Sequence, residues 1–228
     1  MKQIFLSLVG FLILGSFKIQ AQGLKGAWEA VDANQTTLII ATESYITVSK
    51  FEANQFMSTW GGKYTLGVTN EVFIEVDFHS SNPDIVNSSQ SYNMEIKKRG
   101  LEFDGSKFKK ISADDNKLTG LWRITARANK EGAMEEIVPS PRKTYKIMAG
   151  GYFQWFAINT QSREFFGTGG GTYTLEKGVY SEHIIFFSRD NSRVGATLTF
   201  AAKVDDKVWE HSGKSSKGDA IKEIWTKQ

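Results

Sequence analysis

Three histidines are the residues of this chain best suited to acid–base or metal chemistry, and their spacing does not join them. His79, His183 and His211 are scattered and form neither an H-x-H nor an H-E-x-x-H pattern. The chain contains no cysteine, which excludes disulfides, thiol nucleophiles, zinc–thiolate sites and iron–sulfur clusters. We therefore expect no metal and no cofactor, and we interpret the histidines as structural or surface residues.

Glu182, His183 and His211 form the acid–base set that we weigh from the sequence. Glu182 precedes His183, and His211 could join them from a distant part of the fold. Adjacent residues of a β-strand point to opposite faces, so Glu182 and His183 cannot line one pocket without a bulge. We therefore expect a protein that is not an enzyme. Inside a barrel, Glu182 would need a partner or a proton, because an isolated buried charge is costly.

A glycine-rich segment at residues 165–171 could present backbone amides to a phosphate group. It lacks the lysine and the following helix that a phosphate-binding P-loop requires. A shorter pair, Gly61 and Gly62, also leads directly into an apolar segment. We interpret both segments as β-bulges or tight hairpins.

The elements that carry these residues belong to a pattern that occurs twice. The Gly-x-Trp tripeptide at residues 26–28 recurs at 120–122, and Gly-Gly-x-Tyr-Thr-Leu at 61–66 recurs at 170–175. The tryptophan precedes the glycine pair by 33 residues in the first copy and by 48 in the second, which predicts an insertion at residues 129–141. The duplication predicts two domains, at residues 22–112 and 117–228, with Glu75 as the counterpart of Glu182.

Within each copy, apolar residues recur at every second position. Val72, Ile74, Val76 and Phe78 alternate with mostly polar residues, which is typical of a half-buried antiparallel strand. Each copy offers roughly seven or eight such strands, and closure into a barrel removes the exposed sheet edges. We predict an all-β protein, a tandem duplication of a small antiparallel up-and-down barrel. The strand around Glu182 is apolar on both faces, which favours a contact with the other barrel.

The first 21 residues have the layout of a secretory signal peptide. Lys2 precedes an apolar run over residues 4–17, and Ala21 stands where a signal peptidase would cut. A retained membrane anchor is the alternative, although the run is shorter than the about 20 residues that a spanning helix needs. We expect export to the periplasm or beyond, with no membrane span after cleavage.

Charge and composition are those of a globular protein with an ordinary surface. The chain has 228 residues, of which 40% are hydrophobic and 23% charged, so it can form one large or two small cores. Cleavage after Ala21 would remove two lysines and no acidic residue, and the net charge would fall from +3 to +1. No basic cluster is longer than residues 97–99, whereas nucleic-acid binding needs a sustained basic surface. We expect no nucleic-acid partner.

The two Gly-x-Trp tripeptides, each opening an antiparallel series, resemble the signature of lipocalin-like barrels. The chain is also similar to uncharacterised two-repeat secreted bacterial proteins with lipocalin-like domains. The resemblance implies that Trp28 and Trp122 pack across the closed ends of two barrels. It also implies that a cation of the last strand, Lys110 or Lys227, lies over each ring, whose face attracts positive charge.

An eight-stranded barrel is wide enough either to be filled by side chains or to hold one small ligand. We predict that the second barrel binds a small apolar or amphipathic molecule, because it carries extra aromatic residues, longer loops and a histidine beside one of them. The candidate ligand-binding residues are Phe153, Trp155, Tyr173, Glu182, Trp209 and His211. The alternative is a structural or protein-interaction module of the cell envelope, with a protein partner and no small-molecule ligand.

Overall fold

The computed structural model describes residues 23–53, 55–97, 100–112 and 114–228. The predicted signal peptide and two of the three residues of the basic cluster lie outside these ranges. Among the described residues, none belongs to a helix with the length and apolar character of a membrane span.

The first copy is a closed barrel of eight antiparallel strands in sequential order. The last strand returns to pair with the first. A short 3₁₀ helix (Pro83–Ile85) lies between the fifth and sixth strands. The strands are β1 (Gly26–Asp32), β2 (Gln35–Ala41), β3 (Tyr45–Glu52), β4 (Gln55–Leu66), β5 (Glu71–His79), β6 (Ser89–Lys97), β7 (Gly100–Phe103) and β8 (Ser106–Ser112).

The second copy repeats this arrangement and adds one short strand. Its strands are β9 (Gly120–Ala128), β10 (Met134–Glu136), β11 (Arg142–Ala149), β12 (Tyr152–Asn159), β13 (Glu164–Glu176), β14 (Val179–Phe187), β15 (Thr197–Val204), β16 (Val208–Lys214) and β17 (Ala220–Lys227), with a 3₁₀ helix at Asn191–Arg193. Strand β17 pairs with β9 to close the barrel, and β10, inside the predicted insertion, pairs only with β9. The prediction of an all-β tandem of antiparallel, up-and-down barrels is confirmed.

The tryptophan of each Gly-x-Trp tripeptide is buried at one end of its barrel. Its indole N–H donates to the backbone carbonyl four residues earlier, at 2.7 Å in both copies. Lys110 Nζ lies 4.8 Å from the centre of the Trp28 ring, and Lys227 Nζ lies 5.3 Å from that of Trp122. A Cβ at Gly120, where φ is +145°, would come within 2.5 Å of Lys227 Cε. Glycine therefore leaves room for the lysine.

The glycine pairs create a β-bulge in each barrel, as the sequence predicts. The register between β4 and β5 shifts at Gly61/Gly62, and the register between β13 and β14 shifts at Gly170/Gly171. A Cβ at Gly62 or at Gly171 would lie 1.8 Å from a backbone carbonyl oxygen of the neighbouring strand, so no side chain fits there. After each bulge, the next aromatic residue of the neighbouring strand packs between the two barrels. These residues are Phe78 in β5 and Phe186 in β14.

The prediction that Glu75 is the counterpart of Glu182 is wrong by one residue. Tyr64, which follows the first glycine pair, pairs with Ile74, and its equivalent Tyr173 pairs with Glu182. The hairpin between β4 and β5 is one residue longer than the hairpin between β13 and β14, which displaces the sequence match. The true counterpart of Glu182 is therefore Ile74, while Glu75 is exposed.

The two barrels keep separate interiors and share a third apolar cluster between them. Phe78 stacks on Phe156 with ring centres 4.4 Å apart, and Phe51 stacks on Phe186 at 5.3 Å. Phe186 and Ile185 of β14 belong to this cluster, in agreement with the predicted contact of that strand. The cluster joins the barrels by burial of aromatic and aliphatic surface.

A buried amide adds specific hydrogen bonds to this interface. Gln154 is fully buried. Its Oε1 accepts from Ser49 Oγ at 3.1 Å, and its Nε2 donates to Thr59 Oγ1 at 2.9 Å and to Thr168 Oγ1 at 3.0 Å. Two of these partners belong to the first barrel, so the amide fixes the relative position of the two barrels.

Candidate functional site

The second barrel contains a cavity of about 260 Å³ that reaches into its interior. Eight of its seventeen lining residues are aromatic or aliphatic, and seven carry polar side chains. Its aromatic lining residues include Phe153, Trp155, Phe187, Phe200 and Trp225, and its ionisable ones are Lys146, Glu182, His211 and Glu223; Gly169 also lines it. Serines 215 and 216, in the turn between β16 and β17, also line it.

A buried ion pair lies at one wall of this cavity. Lys146 Nζ and Glu182 Oε1 are 2.5 Å apart, and both residues are no more than 5% exposed. Tyr180 Oη donates to the same carboxylate oxygen at 2.7 Å. Burial, together with the adjacent charge of Glu182, raises the pKa of Tyr180 well above its usual range, so the phenol remains a neutral donor.

The ammonium group of Lys146 lies inside an aromatic cage. Its Nζ is between 5.1 and 5.5 Å from four ring centres, those of Phe153, Tyr180, Trp209 and Trp225. Aromatic faces attract cations, and the attraction is stronger where water is excluded. The interior of the second barrel is therefore built to hold a positive nitrogen.

A second acid–base pair reaches the cavity from β16 and β17. His211 Nε2 and Glu223 Oε2 are 2.7 Å apart, and Trp225 Nε1 donates to the same carboxylate oxygen at 3.1 Å. Burial lowers the pKa of His211 and outweighs the opposing effect of Glu223. Burial opposes ionisation of Glu223, but the hydrogen bond from His211 and the charges of His211 and Lys146 outweigh it and hold the pKa of Glu223 below its ordinary value. The contact thus favours the carboxylate form of Glu223, whereas burial opposes a charge on His211.

The first barrel has no equivalent of either pair at the matching positions. In the second barrel Lys146 lies opposite Trp122, and in the first barrel the residue opposite Trp28 is Ile39. The first-barrel residue that corresponds to Glu182 is Ile74. Likewise Phe103 and Ser106 form the cross-strand pair that corresponds to His211 and Glu223. Both polar pairs therefore belong to the second copy alone.

The two barrels also differ in how an aromatic side chain covers the interior. In the first barrel, Val48 pairs with Trp60, whose ring stacks on Tyr92 and Phe103. In the second barrel, the corresponding pair is Trp155 and Gly169. A depression of about 500 Å³ in the first barrel has Trp60 in its wall, and its charged lining residues are exposed, whereas the cavity of the second barrel is lined by the buried Lys146 and Glu182.

The structure brings four of the six predicted ligand-binding residues to the cavity: Phe153, Trp155, Glu182 and His211. Tyr173 lies elsewhere, with its hydroxyl donating to Asn116 Oδ1 at 3.2 Å, and burial raises its pKa to about 12. Trp209 is fully buried against Trp122 and Tyr180. Both residues pack in the core of the second barrel, and neither lines this cavity. His183 is exposed on the outer face, so it does not join Glu182 and His211.

Sequence reasoning missed three groups of this site, namely Lys146, Tyr180 and Glu223. A position-by-position comparison of the two copies could have found them, because each replaces a residue of different polarity in the first barrel. That comparison needs the correct register, which the unequal hairpins conceal. Lys146 also stands directly before the apolar run Ile147, Met148 and Ala149, where a charged residue signals a special environment.

Comparisons with known proteins concern the second copy and the fold. A family described as Domain of unknown function (DUF4488) matches residues 117–228. A search of curated proteins found no match. Among solved structures, the chain is similar to a lipocalin-like protein from Bacteroides uniformis, with 16% identity and a TM-score of 0.36 over 50% of this chain and 100% of that one.

Removal of Lys146 alone should destabilise the protein strongly. Lys146→Ile leaves the Glu182 carboxylate buried without its cation, which costs about 3–5 kcal/mol in the free energy of unfolding. The triple variant Lys146→Ile, Glu182→Ile and Tyr180→Phe places two isoleucines where the first barrel has them. We expect it to be at least as stable as the unaltered protein in urea denaturation. A triple variant as unstable as the single one would contradict this account.

The stability of the protein should decrease as the pH falls from about 7 to 5. The unfolded chain binds a proton at His211 near its ordinary pKa of about 6.5, whereas burial lowers that pKa in the folded state. Glu223 adds a loss in the same direction at lower pH, because its folded pKa is depressed. The double variant His211→Phe and Glu223→Ser reproduces the first-barrel pair and should flatten the slope measured by urea denaturation. Equal slopes would refute the assignment.

Proposed function

We propose that this protein is an exported carrier, not an enzyme, that binds one small amphipathic molecule in its second barrel. The observation that carries the proposal is the cavity of about 260 Å³, with aromatic walls and two buried acid–base pairs. Ligand sites in proteins are mostly apolar and carry a few placed polar groups. The volume, just below the about 300–1,000 Å³ of sites for drug-sized molecules, indicates a small ligand.

The cost of the polar pairs supports a role in binding. A buried ion pair is often no more stabilising than well-packed apolar residues of similar volume. The first barrel closes around Ile39 and Ile74 at the positions of Lys146 and Glu182, so the fold itself does not require charge there. A function specific to the second barrel explains why these charged residues are kept in its interior despite the cost of their desolvation.

The absence of catalysis is part of the proposal. Each candidate acid or base of the cavity is engaged with another: Lys146 with Glu182, and His211 with Glu223. His183, the remaining residue of the acid–base set weighed from the sequence, is exposed on the opposite face of β14. This arrangement favours recognition of a ligand over proton transfer to one.

The alternative function, an envelope interaction module, loses part of its support. That support was a strand that is apolar on both faces, together with exposed sheet faces. Two apolar residues of β14 that point away from the interior of the second barrel, Ile185 and Phe186, pack in the cluster between the two barrels. The first barrel therefore already covers this end of the strand, while Val179 at the other end is 42% exposed.

Export rests on the first 21 residues of the sequence. Mass spectrometry of the protein recovered from the producing cells tests it. We expect a chain that begins at Gln22, because Ala21 stands before the cleavage point. Recovery of an intact chain that begins at Met1 would contradict export by this signal.

The cavity can be closed by exchange of one residue pair between the barrels. Trp155→Val with Gly169→Trp installs the Val48 and Trp60 pair of the first barrel, and the new indole would lie over His211 as Trp60 lies over Phe103. We expect at least a tenfold loss of affinity for small amphiphiles in isothermal titration calorimetry.

The control for this exchange is Trp60→Phe, which alters the covering ring of the first barrel only. It should leave the affinity within about twofold. Native mass spectrometry of the protein as purified supplies an independent readout of a retained molecule. If no amphiphile binds the unaltered protein, or if the exchange variant binds equally well, the carrier proposal is wrong.

A further inference from the structure

We infer that the ligand of the second barrel is an amphipathic organic cation, a primary or secondary amine with a small apolar body. The inference rests on the proposed function and assigns the chemical class of the ligand. It follows from the balance of charge around the cavity, from the hydrogen-bonding state of His211 and from the aromatic walls.

The cavity has more carboxylates than ammonium groups. Glu182 and Glu223 both line it, and Lys146 is the one ammonium among its lining residues. Lys146 is matched to Glu182 at 2.5 Å. Among the described residues, Glu223 forms no ion pair with a lysine or an arginine, and a ligand that brings one positive charge next to it balances its charge.

His211 does not supply that positive charge. The groups that face it are Lys146, Glu182 and Glu223, and burial lowers the pKa of the imidazole despite the two carboxylates. A neutral imidazole that donates Nε2–H to Glu223 has a bare lone pair on Nδ1. Among the described residues, Nδ1 has no hydrogen-bond partner although it is buried. An ammonium N–H is a donor that this acceptor can use.

The walls suit a cation with an apolar body. Trp155 and Phe187 pack edge to face with ring centres 5.5 Å apart, and Phe200 lies 4.8 Å from the His211 ring. The cage around Lys146 is a precedent within the same barrel for an ammonium group held by aromatic faces. A second ammonium, brought by the ligand, would meet the same kind of surface.

The position of Glu223 fits a ligand that enters from the open end. Its side chain keeps 22% of its surface exposed, whereas that of Glu182 keeps 7%. The turn that carries Ser215 and Ser216 lies at the same end of the cavity wall. An incoming ammonium group therefore reaches Glu223 without separation of the Lys146–Glu182 pair, whereas an anionic ligand would have to displace Glu182 from Lys146.

A matched series of three small molecules tests the inference. 2-Phenylethylamine, 2-phenylethanol and phenylacetate share one apolar body and carry a positive, a neutral and a negative head group at pH 7.5. In isothermal titration calorimetry with the full protein, we expect the amine to bind at least tenfold more tightly than either of the others. Octylamine, octanol and octanoate repeat the comparison with an aliphatic body.

Variants locate the interaction. Glu223→Gln should weaken amine binding at least tenfold and change alcohol binding by less than about threefold. Glu71→Gln, an exposed carboxylate of the first barrel, is the control for net charge and should change neither. The comparison of ligands on the unaltered protein remains decisive if Glu223→Gln does not fold.

The outcomes separate the inference from the function on which it rests. If the alcohol or the carboxylate binds the cavity as tightly as the amine, the inference is overturned and the carrier function stands. Carboxylate binding that persists in the Trp155→Val, Gly169→Trp variant occurs outside the cavity and is not counted as cavity binding. A groove lined by Arg123, Arg127 and Arg142 is the site expected for it. If neither amines nor alcohols bind, both the inference and the proposed function are wrong.

Discussion

The fold depends on two places where a strand comes too close to its neighbour to carry a side chain. At Gly62 and Gly171, the carbonyl oxygen of the adjacent strand occupies the space of a Cβ atom. Each glycine permits a bulge, and each bulge reverses which side of the strand faces the barrel interior. One strand can therefore line its own barrel in one half and contact the other barrel in the other half. Phe78 and Phe186 are the side chains redirected in this way.

The duplicated scaffold has kept its closure and changed its contents. The tryptophan–lysine contact at the closed end is the same in both barrels. Farther inside, the first barrel is an ordinary apolar core, whereas the second holds Lys146, Glu182 and Tyr180 in one hydrogen-bonded group and His211 and Glu223 in another. Both barrels are closed by the same contact, but only the second has polar pairs in its interior. The two halves therefore differ in the interior site and not in the architecture.

The sequence predicts the architecture well because its signals are local or repeated. Alternation such as that of Val72, Ile74 and Val76 specifies one buried face, and all three lie in the first-barrel core, whereas Phe78 is buried on the opposite side, beyond the bulge. The glycine pairs and the two tryptophans recur in order, so the tandem barrel follows. The site is harder to predict, because it depends on register. A single extra residue in the hairpin before β5 displaced Glu75 onto the position of Glu182 and hid the true counterpart, Ile74. Lys146 meets Glu182 across 36 positions of sequence, and no spacing rule connects them.

Strand β12 separates the cavity of the second barrel from the first barrel. Phe153 and Trp155 face the cavity, while Gln154 and Phe156 between and beyond them face the first barrel. Solid protein therefore backs this part of the cavity wall. Cut away from its neighbour, the segment of residues 117–228 would turn that backing toward water, with Phe156 uncovered and the Gln154 amide deprived of Ser49 and Thr59. The second repeat is a unit of ancestry that has become dependent on the first for the integrity of its own wall.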